Sequence, residues 1–120
     1  MRVLVGVDDT DRGMRALAAT IERAREAGDE VTVAVYAAGD GSLDAVEASV
    51  RDRLETASFD AGVERITGEP GSDLLELADD GGYDRIVLPG GRRSPLGKIQ
   101  LGSTLEFVLL NAQTTVTLVR

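Results

Sequence analysis

The stretch VLVGVDDTDRGMRALAATIERAREAGDEVTVAVY, residues 3–36, decides the fold of this chain. Val3 to Val7 is a short apolar run rich in β-branched residues and reads as a buried strand. Met14, Leu17, Ala18, Ile21 and Ala24 then recur every three or four residues, with Arg15, Glu22, Arg23 and Glu26 outside the stripe. That spacing predicts a helix with one dry and one wet face. Gly28 ends it, because glycine enters the left-handed cap conformation without a Cβ penalty. Val31 to Tyr36 is the second strand.

The alternation continues to the end of the chain. Leu43, Val46, Val50 and Leu54 predict a second helix, with Asp44, Glu47, Arg51 and Asp52 facing water. Val63 to Thr67 is the third strand, and GEPGSDLLELADD, residues 68–80, turns into a third helix, with Ser72 expected as its N-cap and Gly81 and Gly82 closing it. Asp84 to Leu88 is the fourth strand. Leu105, Val108, Leu109 and Ala112 mark a last helix with Ser103 or Thr104 as cap, and Thr115 to Val119 is the fifth strand. Parallel strands joined by right-handed helical crossovers bury both sheet faces only if helices lie on both sides. The prediction is an α/β fold, a Rossmann-like three-layer α/β/α sandwich on a five-stranded parallel sheet.

With 120 residues, 42% hydrophobic and 28% charged, residues 1–120 are expected to form a single domain. No apolar run approaches the roughly 20 residues of a membrane span, and Met1 and Arg2 lead straight into a strand rather than a signal peptide. The expectation is a cytoplasmic protein without membrane attachment. The absence of cysteine and histidine excludes disulfides, thiolate chemistry, ordinary zinc sites and a histidine general base. The formal charge of -8 disfavours nucleic-acid partners. Lys98 is the only lysine among 13 cations, and this acidic, lysine-poor surface suggests halophilic adaptation, since salt screens its self-repulsion.

Ligands of such sheets bind beyond the carboxyl ends of the strands, where strand order reverses. Two stretches fall there. VDDT, residues 7–10, follows the first strand; VLPGGRRSPLGKIQLGST, residues 87–104, follows the fourth and holds four glycines and three cations. Asp8 and Asp9 suggest a receiver domain, but the Asp after strand three and the Lys after strand five are missing. Their structural reading is a turn and a helix N-terminus, with Thr10 or Asp9 as cap. Gly97 and Lys98 suggest a Walker A loop, but Arg92 stands where its first Gly is needed and Ile99 where its Ser or Thr is needed.

Four pieces in order, VLVGVDDTDRGMRAL, VERITGEPGSDLLELADD, YDRIVLPGG and LGKIQLGSTLEFVLLNAQTTVTLV, resemble the universal stress proteins along the whole chain. The resemblance implies strand order 3-2-1-4-5, which sets strands one and four side by side. It also implies a phosphate loop of Gly, two residues, Gly, nine residues, Gly and then Ser or Thr. Aligned on Gly102 and Ser103, that pattern puts Pro89 and Arg92 at the first two glycine positions. Proline has no N–H and a fixed φ, and arginine adds bulk. Arg92, Arg93 and Lys98 either supply charge to an anion directly or form a solvated loop, while Gly102, Ser103 and Thr104 keep the N–H groups of a helix N-terminus.

For a bound nucleotide the resemblance assigns Asp8 to the ribose, Val7, Val35 and Leu88 to the adenine, and Gly91, Arg92, Gly102, Ser103 and Thr104 to the phosphates; simple core packing is the other reading of Val7, Val35 and Leu88. It implies ATP, with Mg, as the cofactor. It also implies a homodimer through the fifth strand, Thr115, Val116, Thr117, Leu118 and Val119, whose apolar edge invites pairing. Three functions follow in order: a non-catalytic stress-response module, an ATP-binding switch, and a nucleotide-processing enzyme, with the last disfavoured because no activated nucleophile or base is present.

Overall fold

The computed structural model describes residues 1–37, 42–90, 92, 93, 99, 100 and 102–119. Strand β1 (Arg2–Val7), helix α1 (Asp11–Ala27) and strand β2 (Glu30–Val35) form the predicted opening unit, with β1 and β2 parallel from Arg2↔Glu30 to Val7↔Val35. Thr10 caps α1 by accepting from the Gly13 N–H, and Gly28 closes it at φ 73°, donating its own N–H to the Ala24 carbonyl. Helix α2 (Leu43–Thr56) and strand β3 (Gly62–Arg65) follow. The third strand is shorter than expected: its ladder ends at Val35↔Arg65, with one further bond from the Ile66 N–H to the Val35 carbonyl.

Helix α3 (Pro70–Gly81) corrects one expected cap. Pro70 occupies its first turn and Glu69 is the cap residue, without a side-chain bond. Proline suits the first helical position because the N–H it lacks has no partner there. Ser72 therefore lies inside the helix, and its hydroxyl donates back to the Glu69 carbonyl. Gly82 ends the helix at φ 64°. Strand β4 (Arg85–Pro89), short strands β5 (Arg92–Arg93) and β6 (Ile99–Gln100), helix α4 (Ser103–Asn111) and strand β7 (Thr115–Val119) complete the order. β5 and β6 pair antiparallel apart from the main sheet. Gly102, rather than Ser103 or Thr104, is the cap residue of α4.

The main sheet is parallel throughout, in the order β3-β2-β1-β4-β7, the predicted 3-2-1-4-5. Because β2 and β3 step one way from β1, right-handed crossovers put α1 and α2 on one face; the return to β4 and β7 puts α3 and α4 on the other. The core divides accordingly. Val3, Val5, Val7, Val33 and Val35 pack against Leu17, Ile21, Val46 and Val50 of α1 and α2. Leu4, Ala34, Ile86 and Leu88 pack against Leu74, Ala78, Leu105 and Val108 of α3 and α4. Leu4, Leu17, Leu74 and Ile86 are fully enclosed, and each such side chain contributes roughly 1.5–3 kcal/mol through burial. No helix among the described residues is long and apolar enough to cross a membrane.

Candidate functional site

Strand order reverses between β1 and β4, and the register shows what that does at the carboxyl edge. The β1–β2 ladder runs to Val7↔Val35 and the β4–β7 ladder to Pro89↔Val119. The β1–β4 ladder holds Val3↔Arg85, Leu4↔Ile86 and Val5↔Val87, and stops. The two central strands thus part while their outer neighbours stay paired, which opens the crevice expected at a switch point. Gly6 sits at the parting. A Cβ there would lie 2.6 Å from Leu88 Cδ2 and 3.3 Å from Tyr36 Cε1, so glycine lets the two side chains close beneath the crevice. Pro89 ends β4 without an N–H to offer; the Gly90 N–H donates to the Val119 carbonyl at 2.6 Å.

Each crossover helix starts at this carboxyl edge, so α1 brings its N-terminus from one face and α4 from the other. At α1 the Thr10 and Gly13 N–H groups are engaged within the turn itself. Asp8, only 9% exposed, accepts through Oδ1 from the Thr10 N–H at 3.1 Å and the Thr10 hydroxyl at 2.5 Å, and Thr10 Oγ1 accepts from the Gly13 N–H at 3.1 Å. The packing is close: a Cβ on Gly13 would lie 2.6 Å from Asp8 Oδ1 and 3.0 Å from the Asp8 backbone N and O. The structural reading of Asp8 as part of a helix-start turn is thereby realised.

At α4 no side chain caps the first turn. Its first intrahelical bond of this kind is from the Glu106 N–H to the Gly102 carbonyl at 3.0 Å, so the N–H groups of Ser103, Thr104 and Leu105 precede the ladder. Gly102 and Ser103 are exposed and Thr104 half-buried. An anion at this position meets backbone donors and the positive end of the helix dipole.

Tyr36 is a residue the sequence reading did not single out. It follows β2 at the same edge, is 3% exposed, and its N–H donates to the Val7 carbonyl at 3.1 Å. Burial pushes its phenol well above the ordinary range, and the Asp8 and Asp9 carboxylates push it further. It is a neutral hydroxyl beside an acidic turn. A tyrosine at the end of the predicted strand VTVAVY, residues 31–36, was the available signal.

Of the other predicted residues, Val7 and Val35 are register partners, fully buried on the α1 and α2 face, while Leu88 is fully buried on the opposite face. The crevice floor therefore has apolar residues beneath both sides. Gly91 and Lys98 lie outside the described residues, and Arg92 and Arg93 are described as the backbone of β5. Along β7, Val116 faces the α3 and α4 core and Val119 the α1 and α2 core, as the strand alternation predicts. No group of three or more acidic residues among the described residues is arranged to hold a metal ion.

Comparison with known proteins agrees with this fold. The model of the universal stress protein family matches residues 1–120. A universal stress protein from Archaeoglobus fulgidus superposes with a TM-score of 0.83 at 25% identity, over 100% of this chain and 98% of that one. A universal stress protein in complex with cAMP gives 0.79 at 26% identity, over 99% and 95%. The Archaeoglobus fulgidus protein in complex with dAMP gives 0.65 at 26% identity, over 100% and 98%. A search of curated proteins returns no match.

Proposed function

The chain belongs to the universal stress protein family, and on that premise we propose that it is a non-catalytic stress-response module whose state is set by an adenine nucleotide held between β1 and β4. The observation that carries this reading is the crevice itself. Its ladder stops at Val5↔Val87, and an uncapped helix N-terminus borders it. Structures of relatives with cAMP and with dAMP support an adenine ligand.

The polarity of the crevice orients the ligand. The N–H groups at Gly102, Ser103 and Thr104 take the phosphate, with Gly91 and Arg92 contributing from the preceding loop. Asp8 takes the ribose through the oxygen not engaged by Thr10, because a carboxylate accepts from hydroxyls and repels phosphate. Val7, Val35 and Leu88 supply the apolar floor beneath the adenine. ATP with Mg fits this assignment only if the loop cations offset the missing donor at Pro89. Without an activated nucleophile or general base, the module binds and releases its ligand unchanged, and its output is a change of partner or shape.

A second element of the proposal is a homodimer through β7. The strand lies at the sheet edge, and Leu118 is 38% exposed there. Antiparallel pairing of Thr115, Val116, Thr117, Leu118 and Val119 with the same residues of a second copy satisfies the free backbone groups. Light scattering at micromolar protein in high salt is expected to give twice the monomer mass; a monomer there removes the dimer.

Isothermal titration with AMP, cAMP and ATP, with and without Mg, in low and molar salt tests the nucleotide site. Saturable heat with one ligand per chain is expected. No saturation at millimolar nucleotide retires the switch and leaves a ligand-free module.

A further inference from the structure

The two tyrosines of the chain are built differently. Tyr83 is half-buried and satisfied, its hydroxyl donating to Thr32 Oγ1 at 2.7 Å. Tyr36 is 3% exposed, and its hydroxyl makes no hydrogen bond among the described residues. A buried phenol ordinarily finds a partner. Nor is this hydroxyl sealed: the sealed side-chain atoms without a partner, among the described residues, are Asp29 Oδ2 and Arg85 Nε. It keeps a narrow opening.

The path of the ring shows where that opening lies. Tyr36 follows β2 on the face of the sheet covered by α3 and α4. Cε1, the ring atom next to the carbon that carries the hydroxyl, would lie 3.3 Å from a Cβ on Gly6 of β1. The same Cβ would lie 2.6 Å from Leu88 Cδ2 of β4. The hydroxyl end of the ring therefore leaves β2 and reaches over Gly6, the residue at which β1 and β4 part. Burial holds the phenol protonated, and the nearby Asp8 and Asp9 carboxylates reinforce this, so it keeps a proton to donate. Asp8 has one oxygen committed to Thr10, while Oδ2 accepts from no group among the described residues and is likewise unsealed. A donor and an acceptor are thus both unspent where the crevice begins.

We propose that Tyr36 and Asp8 together read the cis-diol of a ribose, so that the crevice takes ribonucleotides in preference to deoxyribonucleotides; this rests on the crevice being a nucleotide site. A cis-diol presents two adjacent hydroxyls, each able to donate and to accept. Asp8 Oδ2, an acceptor only, takes the proton of one, and the Tyr36 hydroxyl donates to the oxygen of the other. A deoxy sugar leaves one of these two protein groups without its partner against the apolar floor. A site built to hydrogen-bond a hydroxyl rejects the analogue that lacks it for this reason. Gly6 has its place in the same design, since any side chain there would push the tyrosine ring off the seam.

Titration calorimetry of the full chain with AMP, 2′-deoxy-AMP and 3′-deoxy-AMP at one salt concentration tests the assignment. The parent is expected to bind AMP about tenfold more tightly than either deoxy form, the fold-change of one lost hydrogen bond. Tyr36→Phe keeps the ring that packs beside Gly6 and Leu88 and removes only the hydroxyl. It should erase the preference over one deoxy form and retain the preference over the other, the one that forfeits the Asp8 bond. A tyrosine with a structural role alone would lower all three affinities alike or leave both preferences unchanged, and either result overturns the proposal. Equal affinity of the parent for AMP and either deoxy form also overturns it while leaving the nucleotide site standing. Absence of saturable heat with all three removes the site and the proposal together.

Discussion

Two helix N-termini meet the same crevice and are built in opposite ways. That of α1 is closed: Asp8, Thr10 and Gly13 pass hydrogen bonds among themselves, and Asp11 adds an acid to its first turn. That of α4 is open: Gly102 has no side chain with which to cap it. The closed end contributes stability and negative charge, and the open end gives up a cap in exchange for donors that a ligand can use. On the proposed reading, an anion in the crevice is sorted toward α4 by the protein's own backbone.

The contrast can be broken from the closed side first. Gly13→Ala on an ordinary helix position would raise stability, but here its Cβ meets Asp8 backbone atoms at 3.0 Å that cannot swing away. Urea unfolding should show a loss of about 1–3 kcal/mol, the usual cost of overpacking. An unchanged or raised midpoint would mean that α1 does not start packed against Asp8. Thr10→Ala removes the cap and should cost about 1 kcal/mol in the same assay, with nucleotide affinity changed less than stability.

From the open side, Gly102→Asp gives α4 the cap it lacks. The gain in stability should be only a few tenths of a kcal/mol, because glycine is itself a tolerable cap. Titration calorimetry should meanwhile show AMP affinity falling about tenfold, since the new carboxylate takes the donors and repels the phosphate. If affinity holds, the phosphate is not at α4.

The smallest effect is absent at neutral pH. Tyr36 has its folded pKa raised, chiefly by burial and then by Asp8 and Asp9. The neutral phenol is thus favoured in the folded state, and its contribution is complete below about pH 10, the ordinary tyrosine value, and is lost as pH rises above it. Tyr36→Phe should unfold less steeply with alkali than the parent; identical alkaline profiles would place the hydroxyl in contact with water.

The element order was legible because apolar runs and helical stripes leave a period in the sequence, as in Val3 to Val7 and Leu17, Ile21 and Ala24, whereas the strand order came only from the resemblance to the universal stress proteins. The caps were less so. Ser72 looked like a cap by residue type, but Pro70 starts the helix earlier, and the GEP triplet carried that information. Gly102 belongs to the expected helix N-terminus, but the hydroxyls of Ser103 and Thr104 beside it look like better caps by residue type and the helix does not use them. The parting of β1 and β4 after Val5 and Val87 was illegible, since register between strands distant in sequence leaves no local period. The β5–β6 pair, two residues on each side, is too short to show any pattern.

The brevity of the β1–β4 ladder also has a consequence for how the chain assembles. β1 pairs with β2 across a single helix, whereas Val3↔Arg85 joins residues separated by most of the chain. Closing so long a loop is entropically costly and slow. The β1–β4 seam therefore carries the larger closure cost of the two pairings that β1 makes. A ligand seated across that seam, as proposed, would clasp together two strands that the chain itself joins only through its longest loop.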